Sequence, residues 1–213
     1  MRLILITLSF LFSAEIFAQN RITTKILTLK NATAADTARI KAAFKYIESV
    51  VNKTDFRSKV LNMTYKMGNK TYSGYTQTTD TPQEILDTIL QADENFSGGT
   101  SGVMDMFLEM YYEYNGAVGY TYANDPYVYM NRWVQSSYTP METAGNLFHE
   151  WLHKLGHTHS YEWTQDRADS VPYKIGYLIR DMAAQEASKG DPVLKEMMKK
   201  SFEGRAFDEC AHH

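Results

Sequence analysis

The sequence predicts an α+β protein with a small mixed β-sheet, a backing helix and a small helical C-terminal lobe. Two patterns carry this prediction. In some segments apolar and polar residues alternate, and in others apolar residues recur every three or four positions behind a helix-capping signal. The chain has 213 residues, of which 44% are hydrophobic and 22% charged, which suits one domain with a substantial core.

The first residues have the pattern of a secretory signal peptide. Arg2 provides a positive start, an apolar run continues through Phe12, and small residues lead up to Ala18. The run is shorter than the roughly 20 residues that a membrane-spanning helix needs. We therefore expect a signal peptide over residues 1–18, cleaved after Ala18, and an exported protein, secreted or periplasmic, without stable membrane insertion.

The charge and the cysteine content exclude two classes of protein. The chain has 22 Lys and Arg against 25 Asp and Glu, a net charge of −3. Binding to nucleic acid needs a basic surface, so no nucleic-acid partner is expected. Cys210 is the single cysteine, so an intrachain disulfide framework is excluded.

The remainder is predicted to be one domain, with an N-terminal subdomain over about 19–156 and a C-terminal subdomain over about 157–213. A strand is predicted over 21–30 and a long helix over 31–53. That helix has one apolar face, formed by Ile40, Phe44, Ile47 and Val51. A second, shorter helix is expected to begin behind Thr81, with Pro82 at its first position and Glu84 closing a capping box.

The middle of the chain has strand patterns. Residues 103–114 alternate, with an apolar face from Met104 to Tyr112 and acidic residues opposite, although the Met, Leu and Glu content also suits a helix. Residues 115–134 are turn-rich and aromatic, which predicts a short hairpin or edge strands. The tyrosines here either line a cleft or, as we expect for most of them, pack a sheet.

A third helix is predicted from a stronger signal. Thr139 is the cap, Pro140 the first helical residue and Glu142 the capping-box partner. Gly156 is expected to end this helix, because glycine adopts the left-handed conformation without steric cost. Further helices are predicted from Ile175 onward, divided near residues 189–192.

The third helix and the segment directly after it contain four of the six histidines in the chain. His149 and His153 are four residues apart, so their rings project from the same side and can bind one zinc ion. Glu150 stands beside them and can reach an attacking water without being a ligand. The turn at Gly156 allows His159 to supply a third nitrogen. Three protein ligands with one open position are typical of a catalytic zinc site.

His157 could also approach the metal, since it is four residues beyond His153. The expected helix end at Gly156 argues against this role. We therefore predict that His157 supports the ligands or faces solvent.

The pattern His149-Glu150-x-x-His153-x-x-Gly156-x-x-His159 resembles the zinc signature of the metzincin clan of metalloendopeptidases. The resemblance covers these eleven residues and, loosely, the order of elements. It implies a zincin-like fold in which an edge strand binds an extended peptide or protein substrate above the active-site helix. It also implies that the three histidines bind zinc and that the glutamate is the general base.

The chain departs from that family after His159. The family has a methionine in a tight turn beneath the zinc ligands. Here the turn is expected over residues 170–173, which contain no methionine, and Met182 falls in a predicted helix. Some members place a tyrosine beside the metal after this turn. Tyr173 is thus a candidate ligand or oxyanion stabiliser, with a purely buried aromatic as the alternative.

Two other interpretations remain. A thermolysin-like zinc peptidase would use His149, His153 and a downstream glutamate, for which Glu186 is available. A secreted protein could also keep a zinc site without catalysis, although a structural site has no use for Glu150. The resemblance favours a secreted zinc-dependent endopeptidase.

Overall fold

A computed structural model of the protein describes residues 21–66, 80–94, 99–114, 116–122, 124–159 and 165–189. The predicted signal peptide over 1–18, Cys210 and the helix expected beyond residue 192 lie outside these residues. In chain order the elements are β1 (Thr23–Lys30), α1 (Ala34–Val51), α2 (Thr54–Asn62), α3 (Pro82–Gln91), β2 (Val103–Tyr111), β3 (Gly119–Thr121), β4 (Tyr127–Asn131), α4 (Arg132–Gln135), α5 (Pro140–Lys154), α6 (Gln165–Ala168) and α7 (Val171–Ala187).

The strands form one small mixed sheet in the order β1-β2-β4-β3. β1 pairs in parallel with β2, and β2 in parallel with β4. β3 is antiparallel to β4 and lies at the end of this order, as the hairpin prediction for residues 115–134 requires. The predicted α+β class and mixed sheet are confirmed.

The alternation in β2 has the predicted effect on burial except at Asp105, which belongs to the opposite face but is also buried. Met104, Met106, Leu108 and Met110 are buried in the hydrophobic core. The strand ends at Tyr111, so the prediction that Tyr112 belongs to the apolar face is wrong, and Tyr112 is 62% exposed. The alternation of apolar residues thus identified the strand correctly. It did not predict where the strand ends, because the alternation continues past Tyr111.

The long helices α1, α5 and α7 pack against one another, with α1 also against β1 and α5 also against β3. The predicted apolar face of α1 is buried. Both predicted capping boxes form, Thr81 with Glu84 before α3 and Thr139 with Glu142 before α5. α2, a nine-residue helix, was not predicted.

The C-terminal part differs from the prediction at its start. Residues 170–173 are not a turn. Ser170 precedes α7 with extended backbone, and the helix begins at Val171 rather than Ile175. Pro172 fits there because the first turn of a helix needs no N–H donor from it. No helix in the described part of the chain is both long and apolar enough to cross a bilayer.

Candidate metal centre

The centre is built on α5, whose start is set by local hydrogen bonds. The Thr139 hydroxyl accepts from the Glu142 backbone N–H at 3.2 Å, and the Glu142 carboxylate accepts from the Thr139 N–H at 2.8 Å. Every residue from Met141 to Lys154 is buried, polar residues included. The helix therefore presents its functional groups to the interior of the protein.

His149 and His153 project from one side of α5, as their spacing predicts. Their ring centroids are 5.0 Å apart. The His159 ring lies 5.3 Å from His149 and 4.9 Å from His153, so the three rings form a nearly equilateral triangle. The three side chains are only 1%, 6% and 2% exposed. The structure therefore brings together the three predicted ligands.

The turn after α5 makes this convergence possible. Gly156 has φ +95°, the left-handed region that glycine adopts without strain. The His157 N–H donates to the Leu152 carbonyl at 3.0 Å, which closes the turn. His159 follows this turn back to the histidine-bearing side of the helix. The predicted role of Gly156 is confirmed.

A backbone hydrogen bond determines which nitrogen of His153 can bind a metal. Its Nδ1 lies 2.7 Å from the His157 carbonyl oxygen, which can only accept, so Nδ1 carries the proton. The lone pair of the neutral ring is then on Nε2. Burial lowers the pKa of His153 to about 4, so the ring is neutral at neutral pH, as metal binding requires.

His157 is buried, so the prediction that it could face solvent is wrong. Its backbone carbonyl orients His153, which supports the alternative, that it assists the ligands. Burial also lowers the pKa of its own ring to about 4, and Asp80 opposes this shift. The physical reason for the burial is the compact turn, which folds residues 157–159 back onto α5.

The ligand atoms of the three histidines lie within 4.8 Å of one another. Two nitrogens bound to one zinc ion at 2.0–2.1 Å can be no more than about 4.2 Å apart. Small side-chain movements would therefore bring all three onto one ion. The donor set of three buried, metal-competent imidazoles fits a divalent metal, and the geometry leaves the identity of the metal open.

Glu150 lies on the same side of α5, against the edge strand β3. A Cβ placed on Gly119 of β3 would be 3.5 Å from Glu150 Oε1 and 3.4 Å from Asn146 Oδ1. It would also be 3.0 Å from the Tyr129 carbonyl oxygen. Glycine at position 119 thus allows the edge strand to pass directly beside the glutamate.

Asn146 and its partners were missed by the sequence reasoning. Asn146 is one turn before Glu150 on α5, and its Oδ1 accepts from Gln135 Nε2 at 2.8 Å. Gln135 Oε1 in turn accepts from the Thr143 hydroxyl at 3.2 Å. A buried amide pair therefore fixes the side chain that stands next to Glu150. The spacing of Thr143, Asn146 and Glu150 along one helix side was the available signal.

Lys154 anchors the other end of this side of α5. Its ammonium donates to the carbonyl oxygens of Tyr122 and Asp125, in the loop between β3 and β4. Burial lowers the pKa of Lys154 to about 8. These hydrogen bonds attach the loop that follows the edge strand β3 to α5, the helix of His149 and His153.

Tyr173 lies in the first turn of α7 with its ring against two of the three candidate ligands. The ring centroid is 4.5 Å from that of His149 and 4.9 Å from that of His159. The close approach of the two helices depends on Gly176. A Cβ there would be 3.0 Å from the Gly145 carbonyl oxygen and 3.1 Å from His149 Cβ. Tyr173 is therefore next to the centre, although the expected turn is absent.

Arg167 is the second residue that sequence reasoning missed. It is 2% exposed and precedes α7 in the short helix α6. Its Nε and Nη2 groups donate to the Tyr173 hydroxyl oxygen at 3.0 and 2.6 Å. No local pattern marked it, because an arginine in a short segment rich in charged and polar residues is typical of an exposed helix.

Glu186 is far from this centre. It lies near the end of α7, thirteen residues after Tyr173, which is about 20 Å along a helix axis. Its carboxylate pairs with Lys53 and Lys189. The three-histidine set is therefore favoured over the set that uses Glu186.

The tyrosines around β3 and β4 pack mainly against each other. Tyr120 stacks on Tyr129 with ring centroids 4.8 Å apart, and the Tyr129 hydroxyl donates to Asp125 at 2.6 Å. Tyr112 and Tyr114 are exposed. Most of these rings are thus the packing residues that we expected, on the sheet face away from the core.

Comparisons with protein family models, with curated proteins and with solved structures find no match to this chain. The site is therefore interpreted from its own geometry, to which the metzincin resemblance of residues 149–159 adds an expectation.

Proposed function

We propose that the protein is a zinc-dependent endopeptidase that uses His149, His153 and His159 as metal ligands and Glu150 as general base. The observation that carries this proposal is the convergence of three buried imidazoles beside a buried glutamate. Three imidazole nitrogens that converge on one point are a donor set that zinc prefers in proteins.

Three imidazole ligands favour a catalytic over a structural zinc site, because a structural site is usually closed by four protein ligands. When bound, zinc would lower the pKa of water and polarise a substrate carbonyl. The metzincin resemblance favours zinc over other divalent ions.

Glu150 performs the proton transfers in this proposal. Its carboxylate takes a proton from the attacking water and then delivers it to the leaving amine nitrogen. The C–O bond forms first and gives a tetrahedral oxyanion, and the peptide C–N bond breaks when this oxyanion collapses and the protonated amine leaves. No covalent intermediate with the protein is needed. The Asn146 side chain, held by Gln135, limits the positions that Glu150 can adopt.

The proposed substrate is an extended peptide or protein segment lying along β3. This strand is antiparallel to β4 and passes beside Glu150, so a substrate paired with it would place a carbonyl near the site. Gly119 keeps that space free of a side chain. The predicted signal peptide places this activity outside the cytoplasm, secreted or periplasmic.

A non-catalytic zinc-binding protein is the second candidate, favoured by the near-complete burial of the three histidines. The intact Glu150 beside the edge strand argues for the peptidase.

The test is metal analysis of the purified protein combined with digestion of a broad peptide library. We expect about one zinc per chain, cleavage by the wild type, and cleavage reduced about 10²- to 10⁴-fold in Glu150→Gln with zinc retained. His159→Ala should lose zinc, whereas the matched variant Glu186→Ala should keep both zinc and activity. Zinc binding without any cleavage would favour the non-catalytic candidate, and loss of zinc in Glu186→Ala would contradict the ligand set.

A further inference from the structure

We infer that Arg167 is a positioning residue that makes the Tyr173 hydroxyl an obligate hydrogen-bond donor toward anionic ligands at the histidine centre. This inference rests on the proposed metal site and adds a residue that the zinc signature does not contain.

The hydrogen bonds of the pair determine the direction of donation. A phenol oxygen has two lone pairs and one proton. Arg167 donates to this oxygen through both Nε and Nη2, at 3.0 and 2.6 Å. With both lone pairs accepting from the guanidinium, the O–H of Tyr173 must point elsewhere and can only donate. A cationic donor also polarises the O–H group and strengthens the bond that it makes.

The ring of Tyr173 lies directly against the histidine centre. Tyr173 contacts the rings of His149 and His159, at 4.5 and 4.9 Å between centroids. Gly176 allows α7 to approach α5 this closely, because a Cβ there would be 3.1 Å from His149 Cβ. The ring is therefore confined between two ligands on one side and the buried guanidinium at its hydroxyl.

The positive charge of Arg167 also favours the binding of an anion, and not of a further cation, at the histidine centre. Its guanidinium is always protonated and is buried close to a site that would hold a divalent metal. Two positive groups in one buried region are stabilised by negative charge between them. A carboxylate, a hydroxamate or the oxyanion formed during peptide hydrolysis supplies such a charge.

The experiment measures anion affinity in the cobalt-loaded protein, without using cleavage. Apo protein is loaded with Co²⁺, and acetohydroxamate is titrated while the visible spectrum of the metal is followed. Tyr173→Phe and Arg167→Met should each weaken acetohydroxamate binding roughly tenfold or more, the size expected for one hydrogen bond to a charged group. The double variant should bind no more weakly than either single variant.

The chain offers a matched control on α7. Arg180 lies beside the Tyr177 ring, with its guanidinium carbon 4.8 Å from the ring centroid, and its Nε donates to Asp181 at 2.8 Å. Arg180→Met removes an arginine beside a tyrosine elsewhere on the same helix, so it should leave acetohydroxamate affinity unchanged. Arg167→Lys should retain part of the affinity, because the ammonium can still donate to the phenol oxygen.

The outcomes separate this inference from the proposed function. Wild-type acetohydroxamate affinity in Arg167→Met, even with a lower melting temperature, would mean a purely structural arginine and would overturn the inference. Should Arg167→Met fail to fold, wild-type affinity in Tyr173→Phe would overturn it equally. A wild-type protein that binds no Co²⁺ would overturn both proposals. One that binds Co²⁺ and acetohydroxamate but cleaves no peptide would overturn the peptidase alone.

Discussion

The two sides of α5 are equally buried but chemically opposite. At 3.6 residues per turn, the apolar residues fall on one side of the helix and the polar ones on the other. The apolar side consists of Ala144, Leu147, Phe148, Trp151 and Leu152, and the polar side of Thr143, Asn146, His149, Glu150, His153 and Lys154. Burial of the apolar side stabilises the fold through the hydrophobic effect. Burial of the polar side removes hydration, which only hydrogen bonds or a bound ion can compensate.

Among the residues that the structure describes, the apolar side of α5 makes one side-chain hydrogen bond to a polar group. Trp151 Nε1 donates to Glu94 at 2.6 Å, and burial raises the pKa of this carboxyl group to about 7. Apart from this contact the side is core packing against the rest of the protein. The comparison teaches that the apolar side of α5 stabilises the fold, whereas the polar side carries the residues of the proposed function. Substitutions should separate the two.

The largest expected effect comes from the apolar side. Phe148 is fully buried and packs edge-on against Phe56 and beside Trp151. Phe148→Ala should lower the free energy of unfolding by about 3–5 kcal/mol. Urea unfolding of the metal-free protein at pH 7 checks this. A loss below about 1 kcal/mol would show that α5 does not depend on its apolar side.

The next effect comes from metal binding to the polar side. At a free zinc concentration one hundred times the dissociation constant, the wild type should gain about 2.7 kcal/mol of stability. His153→Ala should lose this gain, and Phe148→Leu should keep it. Thermal unfolding with zinc and with a chelator measures the difference. An equal gain in His153→Ala would place the zinc elsewhere.

A pH effect should follow from the same side. The folded pKa values of His153 and His157 are near 4, below the ordinary 6.5, so the unfolded chain binds more protons between these pH values. The two histidines should therefore contribute less to the stability of the metal-free protein as the pH drops from 6.5 toward 4, by about 2 kcal/mol for both at pH 5.5. Glu94, whose pKa is raised to about 7, should offset part of this loss, because its protonated form is favoured in the folded state. The slope should be shallower in His157→Leu. A fall in stability over this range that is as steep in His157→Leu as in the wild type would contradict the neutral, buried state of the His157 ring.

The smallest effect should come from the turn that completes the polar side. At Gly156, φ is +95° and a Cβ would meet no atom within 4 Å, so alanine introduces backbone strain without a clash. Gly156→Ala should cost roughly 1–2 kcal/mol of unfolding free energy and should weaken zinc binding, because His159 follows this turn. Calorimetric zinc titration of the variant checks the second part. A stability loss with unchanged zinc affinity would separate the turn from the placement of His159.

Local signals account for what could be predicted about the fold. Thr81 and Thr139, each with an acidic residue three positions later, set the starts of two helices through bonds within one turn. Alternation identified β2 because successive side chains of a strand point to opposite faces, so that every second residue faces the core. The start of α7 was misplaced because Ser170 makes no side-chain capping bond, so Pro172 was interpreted as part of a turn.

The sequence by itself determined that His149, Glu150 and His153 share one side of α5, because residues four apart on a helix project from the same side. It also determined that His159 can return to this side, because Gly156 permits the turn of the chain. Only the tertiary structure decided that Gly119 of the edge strand faces Glu150, that Gln135 holds Asn146, and that Tyr173 is held by Arg167. These contacts join separate elements. Their distances depend on how the helices and strands pack, which no local spacing specifies.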